Sequence, residues 1–370
     1  MLHAKSNILF GSALFALLAT LAACGGEMPT VTKQEQAIYN GSQCDKSVFP
    51  SAVFVGRLSV YDGQQRLSTC TGTLIAPDVV LTAAHCVDHR MDNQQKAPDQ
   101  MALFVTFNPD AKAAMENKDF IGARYFGYHP DFNMQMQAQY LGVHNDVALV
   151  FLERPVTNVL PAALITAEEA SQIRVGAEVF MVGWGATSNA QEPSSGVRMC
   201  AKSEIYQVGS HETVIGSGAT TKCKGDSGGP SYLGVQTHYQ NKVRLVGVTS
   251  RGIGGSYSDT CSMSTDTNVV PYLSWIDSMM KEACQTGKRS WCQEAGILSP
   301  DYFFRQVPAQ PAQPGQPLAP AAPGLSPAPA GSAQDGGCSV ANGSQTGLLP
   351  LSAFAMFFIL YRRNREANRR

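Results

Sequence analysis

The sequence predicts an all-β protein, either a sandwich or a barrel, whose body ends in one amphipathic helix. Only 15% of the 370 residues are charged, and 34 glycines and 21 prolines suit a body rich in strands and turns. Short runs of β-branched and apolar residues also recur along the chain, with turn residues between them. These runs alone do not distinguish a sandwich from a barrel.

The first half of the chain contains six strand-like runs. Asp62-Gly63 and Pro77-Asp78 mark turns between the early runs. Two polar insertions, at 88–99 and 108–119, interrupt the series, and we expect them to form surface loops. The runs lie at 52–60, 67–75, 79–82, 101–107, 120–128 and 147–152.

The second insertion holds three acidic residues, Asp110, Glu116 and Asp119, whose carboxylates are potential calcium ligands. Their spacing does not match a calcium-binding loop. A solvated loop is the better interpretation. The sequence therefore predicts no metal site, and it contains no pattern that calls for a cofactor.

A second series of strand-like runs begins near residue 178. It continues through Gly183-Trp184-Gly185 and the runs at 197–208, 232–238 and 243–249. Pro271 then suits the first turn of a helix, because its fixed φ angle matches helical geometry. Apolar residues follow at helical spacing, so we expect this helix to pack on the second half of the body. They are Tyr272, Trp275, Ile276 and Met279.

The first 23 residues have the features of an export signal. Lys5 precedes an apolar run at 8–19, which is too short to span a bilayer but suits a signal peptide. The run ends in Leu21-Ala22-Ala23-Cys24, which resembles a bacterial lipoprotein signal in which Cys24 is lipidated. The alternative is an ordinary secretory signal with an incidental cysteine. Either interpretation predicts an exported protein, located in the bacterial cell envelope or released from it, and residues 24–37 then form a spacer or propeptide.

The C-terminal part of the chain does not have the composition of a folded domain. Residues 299–335 form a linker that is rich in Pro and Ala from 308 onward. Residues 336–370 hold an apolar stretch followed by five Arg and one Glu in the last nine residues. This arrangement resembles bacterial C-terminal sorting signals, and a permanent membrane anchor is the alternative. The formal net charge of −1 gives no indication of nucleic-acid binding.

Three motifs carry the chemistry. The stretch Lys224-Gly225-Asp226-Ser227-Gly228-Gly229-Pro230 predicts a tight glycine turn that projects a serine hydroxyl. His85 follows a predicted strand in Ala83-Ala84-His85-Cys86, and Asp146 precedes another in Asn145-Asp146-Val147. In this order, His, Asp and Ser supply a general base, its orienting carboxylate and a nucleophile.

These motifs resemble those of the chymotrypsin-like (trypsin-type) serine proteases, and the resemblance covers about residues 38–283. It implies two antiparallel six-stranded β-barrels with the active site between them, and a protease domain at 38–298. It also implies that His85, Asp146 and Ser227 form a catalytic triad, with backbone N–H groups of Gly225 and Ser227 as the oxyanion hole.

The resemblance further implies activation by cleavage. Ile38-Tyr39-Asn40-Gly41 resembles the mature start of the family, whose new ammonium terminus pairs with the carboxylate before the nucleophile, here Asp226. The physical basis is that a buried carboxylate is costly unless it is paired. We expect an activating protease to cleave between Ala37 and Ile38. Ala37 differs from the basic residue of many relatives, so the sequence does not identify that protease.

Ten cysteines in an exported chain indicate disulfides, although the sequence alone does not fix their pairing. Here the family resemblance implies three bridges. Cys284 and Cys292 are expected to form a fourth, which closes a small loop after the helix. The expected pairs are Cys70 with Cys86, Cys223 with Cys261, Cys44 with Cys200, and Cys284 with Cys292.

The substrate pocket differs from that of trypsin. The family places the pocket floor six residues before the nucleophile, and Thr221 stands there instead of an acidic residue. Gly252 is expected to leave one wall open, and Ser264 or Thr267 to narrow the other. Ser250 lies in a segment that resembles the one pairing with the substrate backbone in this family, and its hydroxyl is expected to support Asp146. A small or medium uncharged side chain is the preferred substrate group. Three basic residues leave an acidic preference open, unless they face solvent; they are Lys222, Lys224 and Arg251.

The sequence therefore predicts a serine endopeptidase that acts on proteins or peptides and contacts the membrane through one or both termini. A catalytically silent binding module on the same fold is one alternative. An α/β-hydrolase esterase is another, but it requires the order Ser, Asp, His and alternating helices, and the sequence has neither.

Overall fold

The computed structural model describes residues 38, 40–92, 94, 96–133, 140–186, 195–216, 220–237, 242–253, 261 and 263–305. The predicted signal peptide, Cys24, Ala37 and the chain from residue 306 onward lie outside the described residues. Every described residue belongs to one compact unit. Within the described part, no helix is long and apolar enough to cross a bilayer.

The first half of the body is a closed barrel of six antiparallel strands, in the order β2-β3-β4-β7-β6-β5. All six strands coincide with predicted runs. Their inward faces form the core, and the short strand β4 is buried along its whole length. The strands are β2 (Ala52–Tyr61), β3 (Gln64–Ala76), β4 (Val79–Thr82), β5 (Gln100–Thr106), β6 (Ile121–Tyr128) and β7 (Ala148–Leu152).

The second half closes into another six-stranded antiparallel barrel, because β8 pairs with both β9 and β11. The two-residue strand β1 (Ser42–Gln43) adds to the outside of β9 and so connects the start of the body to this barrel. The strands are β8 (Glu178–Gly183), β9 (Met199–Val208), β10 (Glu212–Ile215), β11 (Pro230–Gly234), β12 (Val243–Ile253) and β13 (Met263–Asn268). The double barrel with a C-terminal helix is the fold that the sequence predicted.

Four short α-helices complete the described body. The insertion at 108–119, predicted to be a loop, contains helix α2, whose N-cap Asp110 accepts a hydrogen bond from Ala113 N at 3.0 Å. One of the three candidate calcium ligands therefore caps a helix. The helices are α1 (Ala84–Val87), α2 (Ala111–Asn117), α3 (Leu273–Gln285) and α4 (Pro300–Arg305).

Helix α3 contacts the first barrel, whereas the sequence analysis placed it on the second. The Trp275 ring lies 5.4 Å from the His129 ring, just after β6. Met279 covers Gly127 of β6, where any larger side chain would collide with it. The chain after the helix continues along the same barrel, with Lys288 Nζ 4.2 Å from the centre of the Tyr125 ring. The apolar spacing predicted the helix correctly but could not identify its partner.

Candidate active site

His85 lies in α1, the single helical turn that follows β4. Its Nδ1 is 2.8 Å from Asp146 Oδ2, and its backbone N–H donates to Asp146 Oδ1 at 3.0 Å. One carboxylate therefore fixes both the ring and the backbone of this histidine. Asp146 is fully buried, while the His85 side chain is 15% exposed and faces the cleft.

The protonation of the pair follows from its surroundings. Burial by itself raises the pKa of Asp146, but the charge and hydrogen bonds of His85, with a hydrogen bond from Ser250, outweigh burial and leave this pKa below its ordinary value. An ionised carboxylate can only accept, so the facing Nδ1 carries the proton. When the ring is neutral, Nε2 keeps its lone pair and can take a proton from a nucleophile.

Two residues of the second barrel hold Asp146 from the other side. Ser250 Oγ in β12 donates to Asp146 Oδ2 at 2.6 Å, as the family resemblance implied. Thr267 Oγ1 in β13 donates to the backbone oxygen of Asp146 at 3.0 Å. Thr267 was a candidate for the pocket wall, but its hydroxyl supports the Asp146 loop.

Ser227 lies half-buried in the predicted glycine turn between β10 and β11. Gly225 and Gly228 have φ angles of 93° and 77°, which non-glycine residues rarely adopt. A Cβ on Gly225 would lie 2.8 Å from Gly185 Cα, so the turn also needs glycine for space.

Thr71 of β3 attaches this turn to the first barrel. Its backbone N–H donates to Ser227 O at 2.8 Å, and its hydroxyl donates to Gly225 O at 3.1 Å. The preceding residue, Cys70, is bonded to Cys86, the neighbour of His85. Ser227 and His85 therefore belong to one connected site, although no hydrogen bond joins their side chains among the described residues. Such bonds are often long in free enzymes and shorten when substrate binds.

Two backbone donors of the turn remain available. Among the described residues, neither Gly225 N–H nor Ser227 N–H has a hydrogen-bond acceptor within the protein. The neighbouring backbone N–H groups are already hydrogen-bonded within the protein. Asp226 N–H donates to Cys223 O at 3.0 Å, and Gly228 N–H donates to Thr249 O at 2.7 Å. Two unused donors beside a serine can bind the oxyanion of a tetrahedral intermediate.

Asp226 points away from the cleft into the second barrel. Its Oδ1 accepts from Gly185 N–H at 2.8 Å, its Oδ2 accepts from Cys223 N–H at 2.8 Å, and Ile38 N–H also donates to it. Burial raises the pKa of Asp226 to about 6, although these donors and the charge of Lys222 counteract it. A Cβ on Gly185 would lie 2.6 Å from the carboxylate, so glycine is needed there.

The predicted pocket residues lie near one another on the second barrel. Thr221 is fully buried, and its Oγ1 has no hydrogen-bond partner within the described part of the chain. It lies beside Gly216, where a Cβ would be 3.3 Å from the hydroxyl. Gly252 of β12 pairs with Ser264 of β13. Of the two candidates for the opposite pocket wall, Ser264 and Thr267, Ser264 is therefore the one that lies across from Gly252.

Two of the three basic residues are not available to an acidic substrate. Lys222 is buried, and its Nζ lies 2.8 Å from Asp266 Oδ2 and 2.8 Å from Ser231 Oγ. The Arg251 guanidinium is 7% exposed and is paired with Glu212. The interpretation that all three face solvent is wrong for these two, and only Lys224 is exposed. Neither buried cation offers its charge to a substrate.

The structure contains four disulfides, in the same pairs that the sequence analysis gave: Cys44–Cys200, Cys70–Cys86, Cys223–Cys261 and Cys284–Cys292. Cys70, His85 and Cys86 form the cluster of possible metal ligands among the described residues. Because the two cysteines are bonded to each other, they offer no thiolate to a metal. We therefore assign the cluster to the disulfide and to the His85–Asp146 pair.

Two six-stranded barrels, with a carboxylate-bound histidine and a glycine-flanked serine at their junction, define the chymotrypsin-like class of proteins. The family model described as "Trypsin" matches residues 38–276. The chain belongs to the trypsin family of serine proteases. The match ends inside α3, so residues 277–305 are described structure beyond the family model.

Curated relatives agree with this assignment. Chymotrypsin-like elastase family member 1 of Homo sapiens is 27% identical over 257 residues, which covers 66% of this chain and 92% of the relative. Chymotrypsin-C of Bos taurus is 30% identical over 229 residues, or 58% of this chain and 78% of the relative. Snake venom serine protease Haly-2 of Gloydius brevicauda is 27% identical over 262 residues, with 67% and 89% covered.

The structure adds residues to the site that the sequence analysis did not identify. Thr71 has no motif of its own, and only its position opposite the serine turn makes it important. Glu212 and Asp266 lie in strands that were not predicted. Glu212 neutralises Arg251, and Asp266 neutralises Lys222. His144, next to the Asp146 motif, is also buried, with 2% of its surface exposed. No local sequence signal marks these residues, because their partners are distant in the chain.

Proposed function

We propose that this protein is a serine endopeptidase that hydrolyses peptide bonds through an acyl-enzyme. Ser227 Oγ attacks the substrate carbonyl carbon while His85 Nε2 takes its proton. The N–H groups of Gly225 and Ser227 bind the oxyanion, and His85 then protonates the leaving amine. Water enters by the same route and releases the acid. The contact between His85 and Asp146 is the observation that carries this proposal.

The test of this proposal compares wild type with Ser227→Ala. We expect a serine-directed fluorophosphonate to label the processed wild type stoichiometrically, and the variant not at all. We expect the wild type to cleave a peptide library and the variant to leave it intact. Ser274→Ala, which changes an exposed serine of α3, serves as the control and should behave as wild type.

Two outcomes would contradict the proposal. Equal labelling of Ser227→Ala would move the nucleophile elsewhere. A processed, folded wild type that neither reacts nor cleaves would favour the silent binding module.

We infer an uncharged primary pocket. The hydroxyl of Thr221 has no partner, and the Lys222 ammonium is neutralised by Asp266, so a small or medium uncharged side chain suits the site better than a charged one. The same peptide library checks this point, and cleavage restricted to bonds after Lys or Arg would refute it.

We also infer that cleavage between Ala37 and Ile38 activates the enzyme. In the uncleaved chain the Ile38 side chain is already buried, and its N–H already reaches Asp226. Its φ angle is 56°, a strained value for a β-branched residue. Cleavage removes the preceding carbonyl and with it this strain. It also creates an ammonium ion that can pair with the buried Asp226 carboxylate.

N-terminal sequencing of the active form tests this step, and we expect it to begin at Ile38. Asp226→Asn should be cut at the same bond but lose about 10²-fold or more in kcat, a typical cost of losing an oxyanion donor. An active form that begins before Ile38 would contradict the proposal.

We extend the proposal to the cell envelope. The support is the predicted export signal with Cys24, the apolar C-terminal stretch with its Arg-rich end, and the need for an activating protease. Four disulfides fit an oxidising compartment. Cell fractionation checks this location, and recovery of the protein only from the cytosol would refute it.

A further inference from the structure

Glu212 is a buried acidic residue at the start of β10, with 1% of its surface exposed. Its carboxylate receives four hydrogen bonds. Arg251 donates from Nη1 to Oε1 at 2.5 Å and from Nη2 to Oε2 at 2.8 Å. His144 Nδ1 lies 2.8 Å from Oε1, and Gly142 N–H donates to Oε2 at 2.9 Å. Both carboxylate oxygens of Glu212 are therefore engaged, each by two nitrogen atoms.

The donors come from the two segments that determine the position of Asp146. His144 is two residues before Asp146 in the loop that leads into β7. Arg251 directly follows Ser250, whose hydroxyl donates to Asp146 at 2.6 Å. Glu212 thus connects the first-barrel loop that carries Asp146 with the second-barrel strand that carries Ser250.

The Asp146 loop needs such support, because its backbone is not regular. Asn145 has a φ angle of 53°, in the left-handed region that asparagine tolerates better than most non-glycine residues but that interrupts regular structure. Tyr272 Oη holds its side chain at 3.1 Å. Among the residues that the structure describes, the His144 ring has one polar partner, Glu212, and its Nε2 is buried without a hydrogen bond. Without Glu212, nothing polar among the described residues fixes that ring.

We propose that Glu212 is a positioning residue, which aligns Asp146 with His85 through His144 and Arg251. This inference rests on the proposed peptidase activity. It assigns to Glu212 an effect on the rate of the chemical step, in addition to its contribution to folding. A carboxylate misplaced by a fraction of an ångström orients the imidazole poorly, and such errors lower rates without weakening substrate binding.

The first experiment measures kcat, KM and Tm for Glu212→Gln. We expect kcat to fall about 10- to 100-fold while KM stays within about twofold. The control is Glu178→Gln, which removes an exposed ion pair with Lys202 in the same barrel and should leave kcat and KM at wild-type values. Wild-type kcat in folded Glu212→Gln would overturn the positioning role, even if Tm falls.

A second variant covers the case in which Glu212→Gln does not fold, because that change removes the negative charge that faces the largely buried Arg251 guanidinium. In Glu212→Met/Arg251→Met both charges are removed, and such replacements of buried pairs are often neutral for stability. A positioning role predicts a near-normal Tm with kcat still at least tenfold low. Recovery of wild-type kcat would show that Glu212 only compensates a charge. An inactive wild type would overturn the proposed function together with this inference.

Discussion

Asp146→Asn is expected to lower kcat by about 10⁴-fold with little change in KM. The amide that replaces the carboxylate can direct its NH₂ group toward His85 Nδ1, which favours the tautomer with the proton on Nε2. That tautomer cannot accept a proton from Ser227. The substitution also removes the negative charge that stabilises the imidazolium formed during catalysis. The measurement is steady-state kinetics on the processed enzyme, with Tm as a check on folding.

Asp62→Asn is a suitable control for this experiment. Asp62 is an exposed aspartate paired with Lys96 far from the cleft, so its variant should keep wild-type kcat. If Asp146→Asn kept kcat within tenfold of wild type, Asp146 would not be the orienting carboxylate, and the triad assignment would fail.

Arg289→Met is expected to destabilise the protein by about 3–5 kcal/mol. Arg289 and Asp78 are both fully buried, with Arg289 Nη2 2.7 Å from Asp78 Oδ1. Asp78 Oδ2 also accepts the N–H groups of Ser290 and Trp291, each at 2.9 Å. Loss of the guanidinium leaves a buried carboxylate without its counter-charge, which is why the cost is large. Urea denaturation monitored by fluorescence measures the change in the free energy of unfolding.

Lys281→Met provides the comparison, since the Lys281–Asp277 pair of α3 is largely exposed and its loss should cost less than about 0.5 kcal/mol. A loss of less than about 1 kcal/mol in Arg289→Met would show that residues 284–292 do not depend on this ion pair.

The sequence predicted all six strands of the first barrel, and its motifs identified the candidate site residues. These strands are apolar and β-branched, so each one produces a local signal, and the histidine and serine motifs are strong because glycine and turn chemistry restrict what can occupy them. The second barrel was harder to predict. β10 is only four residues long, and β13 reads Met-Ser-Thr-Asp-Thr-Asn, a polar strand that is nonetheless buried from Ser264 onward. The side chains of Ser264, Asp266 and Thr267 have partners that are distant in the chain, and no local pattern reveals them.

Long-range charge pairing was the other limit. Lys222 pairs with Asp266, and Arg251 with Glu212, across separations of 44 and 39 residues. A lysine or arginine in a loop is usually solvated, so a single sequence favours the surface for both. The barrel on which α3 packs was predicted wrongly for a related reason. Helical spacing shows that one face of the helix is apolar, but it does not show which barrel covers that face.

The attachment of residues 284–292 to Asp78 has a practical consequence for anyone who shortens this protein. The family match stops at residue 276, and a truncation there would look reasonable from comparison alone. Such a protein would lose Arg289 and leave the Asp78 carboxylate enclosed among strands β3, β4 and β7 with no cation. Expression for crystallography or screening should therefore retain the chain at least through Arg305, the last residue of α4.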